Sequence, residues 1–115
     1  MDVLTVVLTG ELDAEGLGTE LERIERVLND SDEAVGLVVD AARMTGYSTA
    51  AREKFVAWAS GAGDGLARIA IVDEDGAYKL VVSGMALAAS KSMRHFVDPG
   101  LAIEWASGAK DGTRA

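Results

Sequence analysis

The sequence predicts a single α/β domain in which a mainly parallel sheet of four strands is covered by about four helices. Short apolar runs rich in valine and isoleucine alternate with stretches whose apolar residues recur every three or four positions. Such a βα series favours parallel strands joined by right-handed helical crossovers. The length of 115 residues, with 49% hydrophobic residues, suffices for one core.

The first strand and helix occupy the start of the chain. The run from Val3 to Leu8 is almost continuously apolar, which is typical of a strand buried on both faces. Asp13 is placed to cap the helix that follows. Apolar residues spaced by four, three and four positions give that helix one buried face, formed by Leu17, Leu21, Ile24 and Leu28.

A second strand and helix follow. Residues 34–39 predict a central strand that ends at Asp40, and a loop is expected from there to the next helix. That helix begins near Ser48 or Thr49 and ends at the glycines of residues 61–65. Its predicted buried face is formed by Ala51, Phe55, Trp58 and Ala59.

The second half of the chain repeats the pattern. A strand, a helix, a short strand and a last helix are expected over residues 67–72, 77–91, 93–97 and 99–105. Asp73 to Gly76 is expected to be a solvated acidic turn, and Asp98 followed by Pro99 is a helix start. Residues 109–115 lack periodicity and are expected to form a flexible tail after a domain of residues 1–108.

Composition excludes several classes of function. The net charge of −8 argues against nucleic acid and anionic membranes as partners, since both attract positive surfaces. There is no cysteine and one histidine, so we expect no metal site. No glycine-rich phosphate-binding motif follows a strand, so we expect no cofactor. Apolar runs are far shorter than the roughly 20 residues of a membrane span, and no basic signal region is present. We therefore expect a cytoplasmic protein that is not an integral membrane protein.

Ser48, Asp73 and His95 follow the order of the catalytic triad in α/β-hydrolases. We interpret this order as accidental, because Ser48 lies eight residues beyond Asp40 rather than on a tight turn directly after a strand. His95 is expected to be a half-buried strand residue with one hydrogen bond. No catalytic residue is predicted, and we expect the protein not to be an enzyme.

Several segments, in order, resemble STAS domains, the family of anti-sigma-factor antagonists and sulfate-transporter tails. The stretch from Val7 to Ala14 (VLTGELDA) is similar to the opening motif of that family. The segment from Val38 to Thr49 resembles its second strand and switch region. Residues 67–72, 93–96 and 102–106 resemble a divergent, lipid-carrier-related branch. The resemblance implies a STAS-like fold over most of residues 3–107.

The resemblance also implies a regulatory or partner-binding loop and helix start, formed by Asp40, Tyr47, Ser48, Thr49 and Arg52. The family's phosphorylated switch serine aligns with Ala50, unless a shift of one residue gives that role to Ser48 or Thr49. A phosphate there would lie at a helix N-terminus, which favours negative charge, although either residue also serves as a simple N-cap.

Two functions remain open. The first is a non-enzymatic interaction module in bacterial signalling that presents residues 40–52 and the second helix to a protein partner. The second is a small carrier or sensor of an apolar, lipid-like ligand, which the divergent branch implies. A homodimer is compatible with either function. The surface of the second helix, with Arg43, Arg52 and Lys54, is expected to be less acidic than the rest.

Overall fold

Four strands and four α-helices alternate along residues 2–108, the part of the chain that the computed structural model describes. The strands are β1 (Asp2–Leu12), β2 (Val35–Tyr47), β3 (Leu66–Val72) and β4 (Met93–Phe96). The helices are α1 (Ala14–Asp30), α2 (Thr49–Gly61), α3 (Lys79–Ala89) and α4 (Pro99–Ala106). The predicted α/β class with a four-stranded sheet is confirmed, and the expected tail of residues 109–115 lies outside the described residues.

The strands lie side by side in chain order, β1-β2-β3-β4, and every neighbouring pair is parallel. When successive strands are added in one direction, right-handed crossovers place all the connecting helices on the same face of the sheet. Helices α1, α2 and α3 accordingly pack side by side on one face. Helix α4 follows the last strand and covers the other face, where it contacts β2, β3 and β4.

Two hydrophobic layers result from this arrangement, one on each face of the sheet. Alternate residues of β2 supply both layers, because Leu37 faces the three helices and Val38 faces α4. Both side chains are almost inaccessible to solvent. On the α4 side, Trp105 packs against Phe96 with ring centroids 5.6 Å apart. Because the first part of β2 is buried on both faces, residues 35–39 form a run without polar side chains.

Aspartate side chains cap the starts of α1 and α4, as the sequence predicts. The Asp13 carboxylate accepts a hydrogen bond from the Gly16 N–H at 2.7 Å, which caps α1. The Asp98 carboxylate accepts one from the Gly100 N–H at 2.7 Å, and Pro99 begins α4. Both caps satisfy backbone donors that have no partner within the helix.

The expectation that β1 is buried on both faces is wrong. β1 is an edge strand, and Val7 is 50% exposed on the side of the sheet that carries α4. Helix α4 has eight residues and packs across β2, β3 and β4, so the β1 end of that face stays open. On the opposite face, Val6 and Leu8 are buried beneath the helices.

The expected loop after Asp40 is also wrong, because β1 and β2 continue to pair beyond the end of β3. The last pair between β2 and β3 is Asp40 with Val72, whereas β1 and β2 remain paired as far as Leu12 and Tyr47. We call residues 9–12 and 43–47 the two-stranded extension. Its outward-facing polar residues interrupt the apolar run, which is why the sequence pattern suggested an earlier strand end.

The acidic turn after β3 differs from the expectation in one residue. Glu74 and Asp75 are exposed, but Asp73 is only 6% exposed. Its carboxylate accepts a hydrogen bond from the Tyr78 N–H at 2.9 Å, and Gly76 turns the chain with φ +70°. Helix α3 consequently begins at Lys79, two residues later than predicted.

Candidate functional site

The residues singled out in the sequence gather where the strands of the sheet end. Functional groups in parallel sheets typically lie beyond the carboxyl ends of the strands. Asp40 lies at the last pair with β3, and its carboxylate accepts a hydrogen bond from the Ala42 N–H at 3.0 Å. Tyr47 ends β2, and Arg52 lies in the first turn of α2, where it is exposed.

Ser48 joins three elements at this end of the sheet. Its N–H donates a hydrogen bond to the Leu12 carbonyl at 2.9 Å, which ties the end of β1 to the start of α2. Its hydroxyl oxygen accepts a hydrogen bond from the Ala51 N–H at 3.0 Å, so Ser48 is the N-cap of α2. Thr49, the first residue of the helix, is exposed. The Ser48 hydroxyl therefore has a structural role.

Tyr47 and Tyr78 form an edge-to-face pair with ring centroids 5.7 Å apart. Burial raises the pKa of the Tyr78 phenol above its ordinary value of 10.0, and the Asp73 carboxylate and the Tyr47 phenol raise it further. Tyr78 therefore stays neutral near pH 7 and keeps its hydroxyl proton as a donor.

A small apolar cavity lies beneath the two-stranded extension, between α2 and the start of α3. Its volume is about 70 Å³. The side chains that surround it come from β1, β2, β3, three helices and the turn before α3; they include Leu8, Leu12, Met44, Tyr47, Phe55 and Tyr78. Arg52 also lines it. An engineered apolar cavity of about 150 Å³ binds benzene, so this cavity accommodates a smaller group unless the helices separate.

Asp73 and His95 come together at the end of β3 and β4. His95 Nε2 lies 3.8 Å from Asp73 Oδ2, and each side chain is 8% exposed. Among residues 2–108, His95 Nε2 has no hydrogen-bond partner, so the expected hydrogen bond is not found at this nitrogen. Ser48, Asp73 and His95 follow the chain order of a hydrolase triad. Asp73 and His95 lie close together, whereas the Ser48 hydroxyl caps α2.

A wide groove separates the outer surfaces of α2 and α3. It has a volume of about 740 Å³ and is lined mainly by small or apolar residues, among them Val56, Ala57, Val81, Gly84, Met85 and Ala88. Arg52 and Glu53 also line it. Leu80 lines the groove and Leu87 lies on the same helix; these leucines are 86% and 82% exposed.

Sequence reasoning missed this groove, although a signal was present. In the helix expected over residues 77–91, Val81, Val82 and Met85 recur at helical spacing, and Leu80 and Leu87 do not belong to that set. Two leucines seven residues apart and off the buried face indicate an exposed apolar stripe. The cavity offered no comparable signal, because residues distant in the sequence form its wall only after folding.

Neither a metal centre nor a membrane-spanning helix is found in the described region. Within residues 2–108, no three His, Cys, Asp or Glu side chains are grouped so as to hold a metal ion. No helix of that region has the length and hydropathy needed to cross a bilayer.

Comparison with known proteins identifies the family. No curated protein matches the chain. Among solved structures, a similar one is the crystal structure of an uncharacterised DUF3478-family protein from Shewanella loihica, described as having a SpoIIAA-like fold. It is 17% identical, with a TM-score of 0.72 over 90% of this chain and 82% of its own, and so shows the fold alone. The SpoIIAA-like family matches residues 3–107, in agreement with the STAS resemblance, and the chain belongs to this family.

Proposed function

We propose that this domain is a non-enzymatic interaction module of bacterial cytoplasmic signalling, and that its groove between α2 and α3 binds an acidic amphipathic helix of a protein partner. The observation that carries the proposal is the pair of exposed leucines, Leu80 and Leu87. Contiguous exposed apolar surface around a groove typically marks an interaction site in a soluble protein, whereas single exposed leucines are common.

The shape of the groove favours a helix as its occupant. Leu80 and Leu87 are seven residues apart, two turns along the same face of α3. Gly84 lies between them and has nothing within 4 Å of the position that a Cβ would occupy, so a partner backbone is able to approach closely there. A helix with apolar residues at similar spacing matches this stripe, as in other helix-in-groove complexes.

Charge favours an acidic partner. Helices α2 and α3 together carry three basic residues and one acidic residue, although the whole chain has a net charge of −8. Of these, Arg52 and Glu53 line the groove, whereas the Lys54 ammonium lies beside Gly18 of α1. Helix α1, in contrast, carries five acidic and two basic residues. A partner with acidic side chains beside its apolar stripe is attracted to the α2–α3 surface and repelled by α1.

The side chains at the strand ends support a role without catalysis. The Ser48 hydroxyl is used by a helix cap and the Asp73 carboxylate by the start of α3. Regulation through Ser48 or Thr49 is part of the proposal, because both lie at the N-terminus of α2, next to the Arg52 end of the groove. A phosphate there would compete with an acidic partner for the same positive surface.

The proposal is tested with two synthetic helical peptides that share one leucine stripe, one bearing glutamates and the other lysines on the flanking positions. NMR titration should show that the acidic peptide binds and shifts amide signals of α2 and α3. The variant L80S/L87S should weaken this binding at least about tenfold, since it truncates Leu80, which lines the groove, and Leu87, which continues the same exposed stripe of α3.

The matched control is V97S/L101S, which removes two exposed apolar side chains outside the groove. It should bind as the wild type does. Equal affinity for the acidic and basic peptides would contradict the charge argument, and equal binding by both double variants would contradict the groove as the docking site.

The cavity supports a second candidate function, the uptake of a small apolar ligand with an anionic head. The apolar walls suit a short hydrocarbon chain, and Arg52 at the border of cavity and groove suits a carboxylate. A volume of about 70 Å³ requires α2 and α3 to separate before a lipid chain enters.

Hexanoate titration followed by NMR tests this second candidate. We expect shifts of the methyl signals of Leu8 and Met85, which line the cavity, and weaker binding by R52A. The fold is expected to tolerate R52A because Arg52 is exposed. Absence of methyl shifts, together with no bound lipid mass in native mass spectrometry, would reject the carrier function.

A further inference from the structure

The outer edge of β1 is a long strand edge with little protection. β1 has 11 residues, and among residues 2–108 its backbone pairs with β2 and Ser48. Protein sheets usually protect such edges with lysine, proline, a bulge or a short strand. Residues 3–9 contain no charged residue and no proline, and both register shifts with β2 place the extra residue in β2.

The middle of this strand is self-complementary. Residues 5–9 read Thr-Val-Val-Leu-Thr, which is nearly the same in both directions about Val7. Val7 is also the midpoint of the 11-residue strand. A two-fold axis at Val7 therefore places like residues opposite like residues, the condition for an interface between identical chains.

We propose that a second copy of this chain pairs antiparallel with β1 about a two-fold axis at Val7, which joins the two sheets into one of eight strands. Thr5 of each copy then lies opposite Thr9 of the other. Val6 lies opposite Leu8, and Val7 lies opposite itself. Gly10 has φ +68°, so regular pairing covers residues 5–9. It gives about four to six backbone hydrogen bonds, which the two-fold axis generates in symmetric pairs.

The side chains on both faces of β1 are suited to antiparallel pairing with a second copy. Thr5, Val7 and Thr9 point to the open side of the sheet, where threonine pairs and valine pairs stabilise neighbouring antiparallel strands. Val6 and Leu8 are already buried beneath the helices, and pairing extends that apolar layer across the axis. The opposite edge is a weaker template, because β4 has four residues.

Electrostatics gives the interface a characteristic salt dependence. Each copy brings its acidic helix α1 to the same face of the joined sheet, with five acidic and two basic residues. The net charge of each chain is −8. Salt screens this repulsion, so we expect the dimer to tighten as the salt concentration rises.

Two double variants of the full chain test the register. In T5K/T9E, each new lysine faces a glutamate of the other copy, whereas in T5K/T9K it faces a lysine. Sedimentation velocity from about 1 to about 300 µM should show a dimer for the wild type and for T5K/T9E, with T5K/T9K at least about tenfold weaker.

This comparison separates specific pairing from general charge effects. T5K/T9K lowers the net negative charge and would favour association if total charge decided it. Thr5 and Thr9 are exposed, and dilute samples of both variants should retain the wild-type circular dichroism and melting temperature. A wild-type monomer at every concentration, or a dimer that both variants leave unchanged, would overturn the proposal; L80S/L87S should dimerise normally.

Discussion

Gly36 has no side chain, and this allows the backbone of α4 to approach the sheet closely. A Cβ at this position would lie 1.9 Å from the Ala106 carbonyl oxygen and 2.6 Å from its carbonyl carbon. Both atoms belong to the backbone of α4, so the neighbour has no side-chain rotation with which to yield. The sequence shows only a glycine inside a strand, which often marks a close backbone approach without indicating which segment approaches.

We therefore expect G36A to lower the free energy of unfolding by about 2 kcal/mol, within the range that overpacking of a core usually costs. G46A is the matched control, because Gly46 lies in the same strand and a Cβ there has nothing within 4 Å. Urea unfolding should show G46A at or slightly above wild-type stability. Equal loss in the two variants would mean that strand glycines matter here through backbone freedom rather than through contact with α4.

At the scale of elements, the start of α2 depends on the Ser48 cap. The hydroxyl satisfies the Ala51 N–H, which has no partner inside the helix. We expect S48A to lower the free energy of unfolding by about 1 kcal/mol, while S48D keeps the cap and stays close to the wild type. Thermal unfolding of the wild type, S48A and S48D measures these differences in stability. If S48A and S48D lost the same stability, the hydroxyl would act through something other than the cap.

Most helices and strands could be predicted from periodicity, because their buried faces repeat. Helix α1 is the clearest case, with Leu17, Leu21 and Ile24 buried as predicted. The two-stranded extension could not be predicted in this way. Beyond the end of β3, the ends of β1 and β2 pair only with each other. Their residues alternate between solvent and the cavity, so no continuous apolar run remains.

The candidate site was predictable only in part, for a similar reason. Tyr47, Ser48 and Arg52 lie together at the start of α2, as expected for residues close in the sequence. Tyr78 joins them only because β3 lies beside β2 in the sheet. Such contacts depend on strand order, and no local pattern encodes that order.

At the scale of the molecule, the two proposed interaction surfaces are separate. The edge of β1 lies at one side of the sheet, next to the acidic helix α1. The α2–α3 groove lies over the helical face further along the strand order, and its helices are the more basic ones. A dimer joined through β1 therefore leaves both grooves accessible, and a partner with two docking segments would gain avidity from them.

The two faces of the sheet should nevertheless unfold together, and the two tryptophans allow this to be measured. Trp58 lies on the three-helix face, where its Nε1 donates a hydrogen bond to Glu25 Oε1 at 2.7 Å. Trp105 lies on the α4 face, where the Arg68 guanidinium stacks 5.2 Å from its ring centroid and donates to the Trp105 carbonyl.

The variant W105F leaves Trp58 as a fluorescent reporter of the three-helix face, and W58F leaves Trp105 as a reporter of the α4 face. Because β2 and β3 contribute to both layers, loss of one layer exposes the strands that support the other. We expect the fluorescence midpoint in urea to coincide with the circular dichroism midpoint within each variant, as in a two-state transition. If the Trp105 signal changed at lower urea than the circular dichroism, α4 would be a separate unit that detaches before the sheet unfolds.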